Sequence, residues 1–136
     1  MMTLSILSYA KLQQANPELC IIDNSEMSNQ FIQTVQKQNI PLKVNSIKSK
    51  DIKLSNCNIL FFSKSQPNIE QQLIKELSNK PILSFSSNND DCEIGSVFCL
   101  YKNKTGNTQF KVNLDSLAKS RIHIDPRVLL LAQNME

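Results

Sequence analysis

The chain has 136 residues, enough for one domain around a single hydrophobic core and too few for two. Its formal net charge is +3 and its fifteen Lys and Arg residues are spread along the chain, so charge gives no pointer to nucleic acid as a partner. Only two glycines occur, Gly95 and Gly106, which excludes a glycine-rich phosphate loop, and no apolar stretch approaches the roughly 20 residues that cross a bilayer.

The first ten residues, MMTLSILSYA, contain a short apolar segment with no basic region before it and no small-x-small cleavage site after it. Two situations fit: a cytosolic protein, or an exported one whose leader has been cut away and replaced by a methionine. Residues 3–14 place Leu4, Leu7 and Tyr9 or Leu12 at helical spacing. Residues 19–23 read as a buried strand, and Ser25 as the N-cap of a helix carrying Met27, Phe31, Ile32 and Val35. Pro41 closes that helix before Leu42, Val44 and Ile47 take up strand-like spacing. The unbroken apolar run at 58–63 fits a central strand of a parallel sheet covered on both faces.

Ser65 and Pro67 open another helix, on which Ile69, Leu73 and Leu77 repeat every four residues. Pro81 leads into a strand at 82–85 and a polar loop at 86–91. The segments 96–101 and 108–112 flank Lys104-Thr105-Gly106-Asn107, a turn suited to an antiparallel hairpin. Asn113 caps a short helix through Ala118, and Asp125 with Pro126 starts a last one at 127–133. The expectation is a single α/β domain over residues 1–136, with a mixed, mostly parallel sheet, helices on both faces and a C-terminal hairpin.

No catalytic constellation accompanies this fold. Ser63 and Ser65 lack a Gly-x-Ser-x-Gly elbow and are better read as caps of the following helix, and His123 is the only imidazole available to a triad. A phosphorylated receiver domain needs an aspartate at the end of its central strand, where this chain has Ser63, Lys64 and Ser65; Asp23 and the pair Asp90-Asp91 do not supply it. The absence of CxxC excludes a thioredoxin-type redox site, and with His123 the only imidazole it makes zinc the weaker reading of the cysteines; no metal or cofactor is expected. Phe61, Phe62, Phe85, Phe98, Tyr101 and Phe110 read as core rather than as base-stacking platforms. The run Val128-Leu129-Leu130-Leu131 is more apolar than one helix face requires, which leaves part of it for a second chain.

Four cysteines remain: Cys20, Cys57, Cys92 and Cys99. If the first and third strands are neighbours, Cys20 and Cys57 enter the sheet at the same end, within disulfide reach, and Cys92 with Cys99 brackets a short loop around Gly95. Spacing alone leaves this pairing level with four reduced, buried thiols.

The segments Leu19-Cys20-Ile21-Ile22, Leu54 to Ser63 (LSNCNILFFS), Phe110-Lys111-Val112-Asn113-Leu114 and Ile122 to Ala132 (IHIDPRVLLLA) stand in an order and spacing that resemble the YfiR-like periplasmic proteins, from about residue 4 to the end. The resemblance implies a Rossmann-like fold, the disulfides Cys20–Cys57 and Cys92–Cys99, and no enzymatic activity. It implies a periplasmic inhibitor that binds the sensor domain of an inner-membrane diguanylate cyclase and represses cyclic-di-GMP synthesis, with an outer-membrane lipoprotein as a further partner and a tendency to form homodimers.

Contact with a partner or second copy is expected at Lys111, Asn113, His123, Arg127, Leu129 and Leu130. Two departures stand out: Lys111 occupies a position where an acidic residue is expected, and the loop at 86–94 lacks the glycine pair that often precedes this hairpin. Two other classes compete with a regulatory protein. One is a periplasmic module that senses a small molecule in a cleft at the strand ends; the other is a cytosolic α/β enzyme with free thiols.

Overall fold

A computed structural model describes residues 2–77 and 79–134 of the chain. Six strands form the main sheet: β2 (Glu18–Ile22), β3 (Lys43–Ile47), β4 (Ile59–Phe62), β5 (Leu83–Ser86), β6 (Phe98–Lys102) and β7 (Thr108–Val112). Their order across the sheet is β3-β2-β4-β5-β6-β7; all neighbours are parallel except β6 and β7, which form the expected antiparallel hairpin. The connections are α2 (Ser25–Lys37), a 3-10 helix at Ser49–Leu54, and α3 (Pro67–Glu76). The fold is thus the α/β architecture with a mixed, mostly parallel sheet anticipated above.

Every residue of β4 and β5 is buried, as a strand covered on both faces requires. Alternate residues divide between two layers. Leu19, Ile21, Ile59, Phe61, Leu83 and Phe85 meet Phe31 and Val35 of α2 on one face, while Ile22, Leu60 and Phe62 meet Leu73 of α3, Leu77 just beyond it and Ile52 on the other.

Strand register lines up an aromatic row on the first face. Phe61 lies opposite Phe85 and Phe85 opposite Phe98, with ring centroids 6.4 and 5.2 Å apart. Phe31 and Phe110 close the two ends edge-on at 5.5 and 5.9 Å. These rings are core, each pair contributing about 1 kcal/mol beyond its buried area.

Three local expectations are corrected. The helix foreseen across 3–14 stops early: α1 spans Met2–Leu7, and Ala10–Lys11 become β1, paired antiparallel with β8 (His123–Ile124). Leu4, Leu7, Tyr9 and Leu12 all pack on the core, but Tyr9 reaches it from the turn after α1 and Leu12 from just beyond β1, because pairing with a distant segment outweighs local propensity. The cap of α2 is Asn24, whose Oδ1 accepts from Met27 N at 3.1 Å, because Asp23 turns the chain with φ 56° and α2 begins at Ser25. Neither Ser63 nor Ser65 caps α3: Gln66 holds that position with no side-chain bond, and Pro67 opens the helix with its fixed φ. Ser63 Oγ instead accepts from Asn24 Nδ2 at 2.9 Å, and the Ser65 carbonyl accepts from Asn88 Nδ2 at 3.0 Å.

The C-terminal elements agree with the sequence reading. Asn113 Oδ1 accepts from Ser116 N at 2.9 Å and caps α4 (Leu114–Ser120), while Asp125 Oδ1 accepts from Arg127 N at 3.0 Å at the start of α5 (Arg127–Asn134). The backbone of Asp125 also donates to the Tyr9 carbonyl at 2.9 Å, so the β1–β8 ribbon joins the two ends of the described chain.

Two disulfides are formed, Cys20–Cys57 with Cα atoms 5.9 Å apart and Cys92–Cys99 with 5.8 Å, in the pairing implied by the family resemblance. Chain entropy assigns about 4 kcal/mol to the first, which spans 37 residues, and about 2.5 kcal/mol to the second, which spans 7. Urea unfolding of Cys20→Ala/Cys57→Ala should therefore show a larger loss of stability than Cys92→Ala/Cys99→Ala; the reverse order would show that loop entropy does not govern these bridges.

Candidate functional site

The polar centre of the molecule is a residue that sequence reading passes over. Glu70, in the first turns of α3, is fully buried. The predicted stripe of Ile69, Leu73 and Leu77 is turned by one position: Ile69 is 40% exposed, and Glu70 shares the inward face with Leu73 and Leu77. Spacings of three and seven residues from Glu70 to those leucines were the available signal.

Four donors converge on its carboxylate. Oε1 accepts from Ser96 Oγ at 2.8 Å, Ser96 N at 3.2 Å and Asn89 Nδ2 at 3.2 Å, and Oε2 accepts from Ser86 Oγ. Burial pushes the Glu70 carboxyl above its ordinary range, against the pull of these hydrogen bonds.

The network fixes the segment between β5 and β6. Asn89 also donates to the Ile94 carbonyl at 2.8 Å, and its Oδ1 accepts from Cys92 N at 3.1 Å. Gly95 has φ 92°, and a Cβ there would lie 2.8 Å from Glu70 Oε1 and 3.0 Å from the Pro67 carbonyl, so only glycine fits. Its N–H donates to Gln71 Oε1 at 3.2 Å and its carbonyl accepts from Ser116 Oγ at 2.8 Å, which ties the loop to α3 and to the first turns of α4. Cys92–Cys99 locks the same loop covalently, with Cys92 at φ 56°.

The six residues foreseen as contacts fall into two groups. Lys111, exposed on edge strand β7, donates from Nζ to the Asp90 carbonyl at 2.9 Å and lies 5.6 Å from the Tyr101 ring centre. Asn113 is buried and engaged as a helix cap. The other four share the C-terminal end. His123 is exposed on β8 opposite Lys11, and Arg127 pairs with Asp125 at 2.7 Å while covering the Tyr9 ring at 6.0 Å. Leu129 is half-buried against the core, whereas Leu130 is 54% exposed.

Arg127 and Leu130, three residues apart, therefore stand side by side on the outer face of α5. The hydrogen bonds from Arg127 hold the Asp125 carboxyl down at about 2.

At the carboxyl ends of β2, β3 and β4 lies an open crevice bordered by Asp23, Asn24, Lys48 and Lys64. Asp23 Oδ1 accepts from Ser49 N at 3.0 Å there, and Asn24 is committed to Met27 and Ser63. Among the described residues no group of three or more His, Cys, Asp and Glu side chains is placed to hold a metal ion, and no helix is long and apolar enough to cross a membrane. Sequence comparison covers the same span as the fold: a family described as YfiR/HmsC-like matches residues 1–133, from α1 into α5.

Glu70→Leu keeps most of the volume but strands four donors in the interior, and should cost about 3 kcal/mol. Glu70→Gln keeps an acceptor and removes the charge. Because the folded-state pKa of Glu70 is raised above its ordinary value of 4.5, the folded protein holds that proton more tightly. Its contribution is most favourable at acidic pH and is lost as pH rises through the folded-state value. Urea unfolding between about pH 4 and about pH 8 should show stability falling with pH in the natural chain and a flatter profile in Glu70→Gln. Equal slopes would contradict the burial of a titrating carboxyl at this position.

Proposed function

The chain belongs to the YfiR/HmsC-like family, and on that basis we propose that it is a non-enzymatic periplasmic regulator that docks on the periplasmic sensor domain of an inner-membrane diguanylate cyclase and holds cyclic-di-GMP synthesis down. The family match over residues 1–133 carries this reading. Two disulfides support an oxidising compartment, since such bonds persist in the periplasm and are rare in the reducing cytosol.

Repression requires differential affinity: the regulator binds the inactive state of the cyclase more tightly than the active one. Driving a two-state partner from one extreme of occupancy to the other takes about 5.5 kcal/mol of difference. The outer face of α5 is the surface we assign to that contact. It joins an exposed leucine, Leu130, to an arginine already oriented by Asp125, with His123 on the adjoining ribbon. Arginine is enriched among the residues that anchor interfaces, and the exposed leucine beside it adds apolar area to bury. In this reading the same face serves a second copy of the chain when the cyclase is absent, and an outer-membrane lipoprotein relieves repression by competing for the regulator.

The Cys92–Cys99 loop adds a route for redox control, because opening that bridge loosens the segment held by Glu70. Unchanged inhibition by Cys92→Ser/Cys99→Ser would remove redox control while leaving docking intact.

The direct test is co-purification with the cyclase sensor domain, joined to cyclic-di-GMP production in membranes containing the full cyclase. The natural chain should bind and repress. Leu130→Asp and Arg127→Glu, both at exposed positions and each checked for an unchanged fold by its melting temperature, should each weaken binding by about tenfold or more. A correctly oxidised chain that neither binds nor represses would overturn the proposal.

A further inference from the structure

Between α3 and α4, beneath the Gly95 loop, lies a cavity of about 260 Å³. Its floor is apolar, formed by Ile74, Leu77, Ile82 and Val97. Two polar residues of its wall, Asn113 and Ser84, have donors not used within the described residues, although no described side-chain N or O atom that is wholly shut off from solvent lacks a partner. Asn113 uses Oδ1 to accept from Ser116 N, and its side-chain NH₂ has no acceptor among the described residues. Ser84 Oγ accepts from Val97 N at 3.0 Å, and its own proton likewise has no acceptor among the described residues.

At the rim, Lys119 is paired with Asp115 at 3.0 Å and Lys80 Nζ donates to Asn56 Oδ1 at 3.1 Å, whereas Lys75 has no carboxylate partner among the described residues. Glu93 and Lys75 are both exposed at the rim and screened alike, so the spare donors of Asn113 and Ser84 inside the wall, more than the rim charges, set the preference for an acceptor.

We propose that this cavity binds a small organic carboxylate with an apolar body, the carboxylate taking the spare donors of Asn113 and Ser84 and the charge of Lys75, and the body lying on the Ile74–Ile82–Val97 floor. This goes beyond docking on a cyclase and does not depend on it. The composition is that of a small-molecule site: an apolar lining with a few convergent polar groups. What converges is donors and a cation, so the matching ligand supplies acceptors and a negative charge.

Size narrows the class. At roughly 30 Å³ per heavy atom the space holds about nine, the size of a medium-chain or single-ring monocarboxylate. The walls are set in advance, because the Gly95 loop is bonded to Gln71 on α3 and to Ser116 on α4. Little ordering is left for the ligand to induce.

Octanoate is the probe, titrated into the oxidised chain without any partner protein and followed by amide chemical shifts and by melting temperature, with 1-octanol as the uncharged control. The proposal expects saturable binding at about 1 mM or tighter, with shifts concentrated at Ile82, Val97 and Asn113 and a rise in melting temperature. Octanol should bind at least about tenfold more weakly.

Lys75→Gln, an exposed change, should weaken octanoate about fivefold, and Ile74→Trp, which fills the cavity from a half-buried position of its floor, should abolish it. Folding of each variant is checked by its unperturbed shifts elsewhere. Equal binding of octanol, shifts that map outside the cavity, binding unaffected by Ile74→Trp, or no saturable binding would each overturn the assignment. None of these results bears on cyclase docking, which is measured separately on the α5 face.

Discussion

A carboxylate with no exposed surface is tolerated only where its lost hydration is replaced, and Glu70 is such a group. Its replacement comes from Ser86 at the end of β5 and from Asn89 and Ser96 in the segment that follows. That requirement fixes where the chain goes between β5 and β6, the last two of the five parallel strands. The segment must pass over α3 close enough for Gly95 to touch the carboxylate, turn through the left-handed conformation at Cys92, and enter β6 with Ser96 facing inward. The disulfide Cys92–Cys99 and the bonds from Gln71 and Ser116 hold the same path that the hydrogen bonds to the buried Glu70 carboxyl group require.

The consequences extend to both sides of the sheet. With the loop fixed, β6 lies beside β5 and brings Phe98 onto the aromatic row, so the hairpin becomes part of the same core. Asn113 then starts α4 against the loop, which leaves the cavity between α3 and α4, while β8 returns to pair with β1 and α5 settles over the first face. The result presents an outer α5 face and a small cleft on a core tied together by two disulfides, in a chain that belongs to the YfiR/HmsC-like family.

Much of this was legible in the sequence because it is local or periodic. The all-apolar run at β4, Pro67 opening α3, Asn113 capping α4 and the turn at Gly106 each carry their reason within a few residues. The cap of α2 slipped by one residue because nothing in the sequence announces that Asp23 adopts φ 56°. The β1–β8 ribbon was missed because two residues at each end of the chain give no periodic signal and pair only after the sheet has formed.

Glu70 was missed for a different reason. A glutamate in the first turn of a helix is ordinarily solvated and favoured by the helix dipole, so its place on the Leu73–Leu77 face carried little weight. The donors that make its burial possible lie 16 to 26 residues away. Of the expected contact residues, Arg127 and Leu130 share the outer face of α5, while Leu129 packs against the core and Asn113 turns inward because a helix needs its cap.

The central claim is that the chain works by docking its C-terminal face on a cyclase sensor domain. Hydrogen exchange of the oxidised chain, free and in complex with that domain, tests it most directly. The account predicts added protection at α5 and the β1–β8 ribbon, with the amides of β4 and β5 unchanged. Protection confined to the crevice at Asp23 and Lys64, or no change anywhere at saturating sensor domain, would contradict it.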